Sequence, residues 1–127
     1  MHTYSNIIQW FEIPVQDMVR AKHFYQVVFS IHMHETEIMG MHMAYFPGGQ
    51  GNGPVTGALV KSALHKPSTE GVIIYLNANP DLQLVLNKIE AEGGKILMGK
   101  VLLDPQIGYT AFFMDTEGNK LALHSNG

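Results

Sequence analysis

Residues 110–125 read TAFFMDTEGNKLALHS, and the first half of the chain carries the same plan in MAYFPGG, 43–49, followed by TGALVKS, 56–62. Each copy is an aromatic strand, a turn and a second short strand. A pattern used twice in one chain points to an internal repeat. In the later copy an acidic turn and the Gly118-Asn119 corner lead into a strand that puts Lys120, Ala122 and His124 on one face. Leu121 and Leu123 take the other face and are suited to a core. What the first face lines is the question the rest of the chain has to answer.

Outward from these copies, each half supplies a further strand and a helix. NIIQWFEIPV, 6–15, is β-rich, with Ile7, Gln9, Phe11 and Ile13 on one face and Ile8, Trp10 and Glu12 on the other. Asp17 can cap MVRAKHFYQVVF, where Met18, Ala21, Tyr25 and Val28 recur at helical spacing. IHMHETEI, 31–38, alternates as a strand and MHMAYFP reads as the next. In the second half GVIIYLNA, 71–78, is a strand and Asn79-Pro80-Asp81 a helix start, with Pro80 able to take the first helical position. Leu82, Val85, Leu86 and Ile89 form the apolar stripe, Gly93-Gly94 the stop, and KILMGKVLLD, GYTAFFMD and GNKLALHS the closing strands. The expected organisation is one α+β domain over 1–127, with one strand–helix–strand–strand–strand module at about 6–62 and a second at about 70–125.

Composition narrows the function. The 127 residues are 46% hydrophobic and 15% charged, the balance of a folded domain. A net charge of −3 with no basic run speaks against nucleic acid and anionic membrane as partners. With no cysteine, disulfides, thiolate metal sites and a cysteine nucleophile are excluded. No stretch reaches the roughly 20 apolar residues of a membrane span. MHTYSNIIQW lacks a basic region followed by an apolar one, so a cytoplasmic protein without a signal peptide is expected. The glycines 48, 49, 51 and 53 do not make a phosphate cradle, because strands flank them on both sides and no Gly-Lys-Ser/Thr follows.

WFEIPVQDMVRAKHFYQVVF, 10–29, resembles the opening module of the vicinal oxygen chelate superfamily, and FFMDTEGNKLALH, 112–124, its closing motif. The resemblance spans roughly residues 6–125. It implies two βαβββ modules whose mixed sheets curl into a cupped, barrel-like cavity with helices outside, and a homodimer as the usual assembly. The superfamily includes glyoxalase I, extradiol dioxygenases, fosfomycin-resistance enzymes and bleomycin-resistance proteins. In its metal-dependent members His, Gln or Glu side chains on the first and last strands of each module hold a divalent ion. Carried onto this chain, those positions fall on Trp10, at or near Ile73, on Ala122 and within residues 57–61, whose one polar side chain is Lys61. Indole and aliphatic groups offer no lone pairs to a metal. No metal or other cofactor is therefore expected at the usual place.

Strand alternation puts Glu12, Tyr75, Asn77, Lys120 and His124 on the faces of the lost ligands. Trp10, Glu12, Lys61, Tyr75, Asn77, Lys120 and His124 are thus the candidate ligand-binding residues, with Glu12 and His124 the candidates for acid–base catalysis. Trp10 either stacks on a flat ligand or fills the space of the metal. Glu12 either acts as a base or pairs with Lys61, Lys120 or His124, since a lone buried carboxylate is costly. His32 and His34 sit at a His-x-His spacing of about 7 Å, with His42, Glu35 and Glu37 nearby in sequence, but a solvated hairpin face is the favoured reading. Met33, Met39, Met41 and Met43 crowd the same hairpin as adaptable filling. Three functions remain: a metal-free protein that binds a small, partly aromatic molecule; a glyoxalase-like lyase, isomerase or dioxygenase with displaced metal or metal-free chemistry; and a dimer with a vestigial cavity.

Overall fold

The computed structural model of the chain describes residues 7–48 and 57–127, so Gly49, Gly51 and Gly53 of the glycine-rich loop lie outside the described residues. The first module runs β1 (Phe11–Pro14), α1 (Met18–Phe29), β2 (His34–Ile38), β3 (Met41–Tyr45) and β4 (Gly57–Lys61). The second runs β5 (Tyr75–Asn77), α2 (Leu82–Ile89), β6 (Lys95–Asp104), β7 (Gly108–Met114) and β8 (Lys120–Ser125). The βαβββ order expected from the repeat occurs twice. Each module makes its own four-stranded mixed sheet, ordered β1-β4-β3-β2 and β5-β8-β7-β6, with β1–β4 and β5–β8 parallel. The two sheets are cupped but do not close into a barrel. Pro14 suits β1 because an edge strand can lack an N–H without losing a ladder bond.

Local chemistry sets the helix ends. Asp17 accepts the Arg20 N–H at 3.0 Å and opens α1, which stops at Ser30 in the left-handed region, φ 54°. Asp81 accepts the Gln83 N–H at 2.9 Å, so α2 starts at Leu82 and Pro80 precedes the cap instead of occupying the first helical position. The cap, not the proline, decides the start. The expected stripes are buried in full: Met18, Ala21, Tyr25 and Val28 on α1, joined by Phe24, and Leu82, Val85, Leu86 and Ile89 on α2.

Two strands are shorter than their alternation suggests. Residues 7–10 precede β1 and are exposed, and β5 covers only Tyr75–Asn77 of the expected 71–78. Alternation gives a segment two faces, but a strand also needs a partner. Beside β8 the Lys120 N–H is donated to Ser68 O at 3.4 Å and the Ala122 N–H to Ile74 O at 2.9 Å, which leaves a ladder of three residue pairs.

One core serves both modules. Ile13, Ala44 and Leu59 of the first sheet join Leu76, Phe113 and Leu123 of the second around the two helices. On the opposite face of the first sheet Met43, Ala58 and Val60 form a smaller cluster with Met41 and Tyr45. Met33 is buried in the main core, whereas Met39 is 92% exposed at the hairpin turn.

The Asp115–Asn119 turn locks the modules together. The Glu117 side chain, 0% exposed, lies on the β7–β8 connection yet accepts the backbone N–H groups of Gln16 and Asp17, each at 2.8 Å. It also accepts Arg20 Nε–H at 2.7 Å, Arg20 Nη2–H at 3.1 Å and the Thr116 hydroxyl at 2.9 Å. Burial pushes the Glu117 pKa up, but these donors outweigh it and hold the carboxyl below its ordinary range. Asp115 accepts the Tyr25 hydroxyl at 2.7 Å, the Glu117 and Asn119 N–H groups and Asn119 Nδ2–H, and here burial wins, raising its pKa. Asn119 Nδ2 donates as well to Pro14 O at 2.7 Å. Among the described residues no buried side-chain nitrogen or oxygen lacks a partner.

Candidate functional site

After β4 the chain turns at Ser62, whose backbone O accepts the His65 N–H at 3.3 Å and whose Oγ accepts the Leu64 N–H at 3.1 Å. The turn swings the His65 ring onto β1. There His65 Nε2 lies 2.6 Å from Glu12 Oε1, and Nδ1 lies 2.6 Å from Ser62 Oγ. A neutral imidazole satisfies both contacts by donating from Nε2 and accepting the Ser62 hydroxyl proton at Nδ1. Trp10 Nε1–H donates to Glu12 Oε2 at 3.2 Å, and its ring meets Tyr45 edge-on at 5.9 Å. The His65 hydrogen bond holds the Glu12 carboxyl below its ordinary range; burial works against this and the Trp10 bond supports it. Glu12 opens on a cleft of about 240 Å³ between β1, the inter-module segment and β8, lined also by Lys66, Ser68 and Lys120.

A larger cavity of about 570 Å³ lies on the other side of β1. Phe11, Phe29, Ile31 and Phe46 face Tyr75 and Asn77 across it. Phe11 and Phe46 lie 5.5 Å apart, and Tyr75 meets Phe112 at 6.1 Å. Its size and aromatic lining, with asparagine amides as the polar groups, match the make-up of small-molecule pockets.

The candidates from the sequence therefore divide. Glu12 and Lys120 line the cleft, with Trp10 hydrogen-bonded to Glu12 beside it, and Tyr75 and Asn77 line the aromatic cavity. His124 shares a face with Asn77, but its Nε2 donates to Ile107 O at 2.6 Å and fastens the β6–β7 turn. Lys61 stands apart. It is exposed and cross-strand from His42, one position out of phase with Ala58, the residue paired with Glu12. The partner of Glu12 is His65, not Lys61, Lys120 or His124. Nothing in the alternation of β1 announces a contact 53 residues away; the signal available was the unmet need of Glu12 for a donor.

The histidine hairpin separates in the same way. His34 pairs with Tyr45 on one face, whereas His42 pairs with Glu37 on the other and bonds Glu35 at 2.6 Å, which Lys22 also reaches at 2.9 Å. Among the described residues no three His, Asp or Glu side chains come together as a metal-binding group.

The ladders narrow the positions that the resemblance assigned to a metal, namely Trp10, at or near Ile73, Ala122 and a place within residues 57–61. Glu12 pairs with Ala58 as Tyr75 pairs with Ala122, which makes Ala58 the fourth position alongside Trp10, Ile73 and Ala122. Both alanines are fully buried. An indole, an aliphatic chain and two methyl groups do not fit a divalent ion.

Comparison with known proteins bears on this arrangement. The family model described as Glyoxalase/Bleomycin resistance protein/Dioxygenase superfamily matches residues 7–123. A "Glyoxylase-like domain-containing protein" of Didymella fabae is 30% identical over 119 residues, 91% of each chain. Among solved structures, TnmS3, an antibiotic binding protein from Streptomyces sp. CB03234, superposes with a TM-score of 0.67 at 19% identity, covering 99% of this chain and 100% of that one. An E144Q mutant of glyoxalase I from Zea mays gives a TM-score of 0.71 at 18% identity over 92% of this chain, which spans 44% of the maize enzyme.

Proposed function

For a chain that belongs to the Glyoxalase/Bleomycin resistance protein/Dioxygenase superfamily, we propose binding of a small, partly aromatic organic molecule in the cavity beside β1, without a divalent metal. What carries this reading is that the positions matched by resemblance to metal ligands hold Trp10, Ala58, Ala122 and, at or near the fourth, Ile73, none of them with a lone pair for a divalent ion. The aromatic cavity supports it, and a full-length structural likeness to an antibiotic binding protein agrees with it at the level of fold. The catalytic reading draws less support. Glu12 is held ionised below its ordinary range, which makes it a weaker base, and His124 Nε2 is committed to a carbonyl.

Elemental analysis of purified protein should find Ni, Zn, Fe and Mn well below one ion per chain, and a chelator should leave the melting temperature in place. One tightly held ion per chain defeats the metal-free reading. Occupancy of the cavity is tested with 1-naphthol, a flat fluorescent probe, on the native chain and on Gly57→Ala. A Cβ at Gly57 would overlap the Phe11 ring and force it to shift. The variant is expected to keep its fold and bind naphthol at least about tenfold more weakly, a loss of roughly 1.4 kcal/mol. Wild-type affinity in Gly57→Ala would remove the cavity from the proposal.

Assembly as a homodimer belongs to the same reading. The edge strand β6 exposes Leu97 and Val101 at 41% and Leu102 and Leu103 at 51%, an apolar edge that soluble proteins generally cover. Light scattering is expected to give twice the chain mass, reduced toward one chain by Leu102→Lys. A native chain monomeric at 100 μM would count against it.

A further inference from the structure

We infer that the cleft between β1, the inter-module segment and β8 is a second binding site that takes a small zwitterion of amino-acid size. The cleft and the aromatic cavity share β1 but no lining residue; Phe11 lines the cavity and Glu12 the cleft. Four charged side chains line the cleft, Glu12 and Glu70 with Lys66 and Lys120. A ligand of one net sign meets as much repulsion as attraction there, whereas a molecule carrying both signs can match both.

Glu12 is the prepared half of the site. His65 takes one carboxylate oxygen and Trp10 the other, which fixes the group in direction. A carboxylate has about four lone-pair sites, so room remains for an ammonium donor. Its lowered pKa keeps it charged near neutrality. Ser62 and His65 act as positioning residues. The lysines are the uncommitted half. Among the described residues neither Lys66 nor Lys120 has a carboxylate at ion-pair distance, and the Lys120 ammonium lies 6.0 Å from the centre of the Phe112 ring. Ile74 supplies apolar wall for a side chain. A volume of about 240 Å³ suits an amino acid and is small for the larger ligands that fill pockets of roughly 300–1,000 Å³.

The test is calorimetry with L-leucine, isoamylamine and 4-methylpentanoate, which carry both charges, the amine alone and the acid alone. Leucine is expected to bind saturably, at least about tenfold more tightly than either half-ligand, and to change Trp10 emission. Glu12→Gln and Lys120→Met should each weaken leucine about tenfold or more, with circular dichroism confirming the fold. Lys120 is partly exposed and its replacement leaves the Glu12 contacts intact, so it reports even if Glu12→Gln fails to fold. The inference is overturned if leucine does not saturate, if a half-ligand equals it, or if Lys120→Met binds as wild type. Naphthol titrated into the same samples separates the two sites. Retained naphthol binding without leucine binding sinks this inference alone, and the reverse sinks only the aromatic-cavity reading.

Discussion

Glu117→Ala is expected to lower the unfolding free energy by roughly 3 kcal/mol and the melting temperature by about 10 °C. The substitution removes an acceptor that engages two backbone amides, the Arg20 guanidinium and the Thr116 hydroxyl. Arg20 is half exposed, so its share is discounted for solvent screening; the larger loss is the two amides at the start of α1. The effect carries a pH signature. Because the folded pKa of Glu117 is depressed, its contribution is present above the ordinary carboxylate range and fades as pH falls through the lowered value. Asp115, raised by burial, runs the other way: its contribution is present in acid and is lost as pH rises through its folded pKa. The difference between native chain and variant should be full at pH 7 and narrow below about pH 4. Thermal melts at pH 7 and pH 3 check this, and an equal gap at both values would show that the charge of Glu117 contributes nothing.

Phe24→Ala is expected to cost about 3–5 kcal/mol, a large part of the stability of an ordinary domain. Phe24 is 0% exposed, and its ring lies 5.0 Å from Tyr25 and 6.2 Å from Phe113 of the other module. It also packs where a side chain at Gly94 would collide with it, so the void has little to collapse onto it. Urea denaturation measures the loss. Val19→Ala, on the same helix but 81% exposed, should stay within about 0.5 kcal/mol. A Phe24 variant as stable as the Val19 variant would mean that the joint between modules contributes little.

Local signals carried the fold. The Asp17 cap, the two apolar helical stripes and the duplicated strand pair are read within a few residues of each other, and each appears where its pattern places it, whereas the start of α2 falls two residues beyond the Pro80 position that the sequence offered. Where partners decide, the sequence is mute. β5 starts late because Ser68 occupies the neighbouring place at the start of β8, and the acidic turn is a clamp because Gln16, Asp17 and Arg20 converge on Glu117. The candidate binding residues were legible as strand faces but not as a set. Alternation assigns Glu12 and Tyr75 to comparable faces, yet the gap between the two sheets sends one to the polar cleft and the other to the aromatic cavity. His65 carries no periodic signal at all; it comes from a turn outside both modules' strands and is found only through the contact it makes.

The clamp has a consequence for what this repeat can be. The chain repeats one βαβββ plan, yet its two copies share one core and one clamp, so neither is expected to fold alone. Cut between the modules, the first half would present bare amides at Gln16 and Asp17 and the second a charged acceptor with nothing to receive. The two copies depend on each other not where they meet in sequence but near the chain's two ends, where the start of α1 meets the β7–β8 turn.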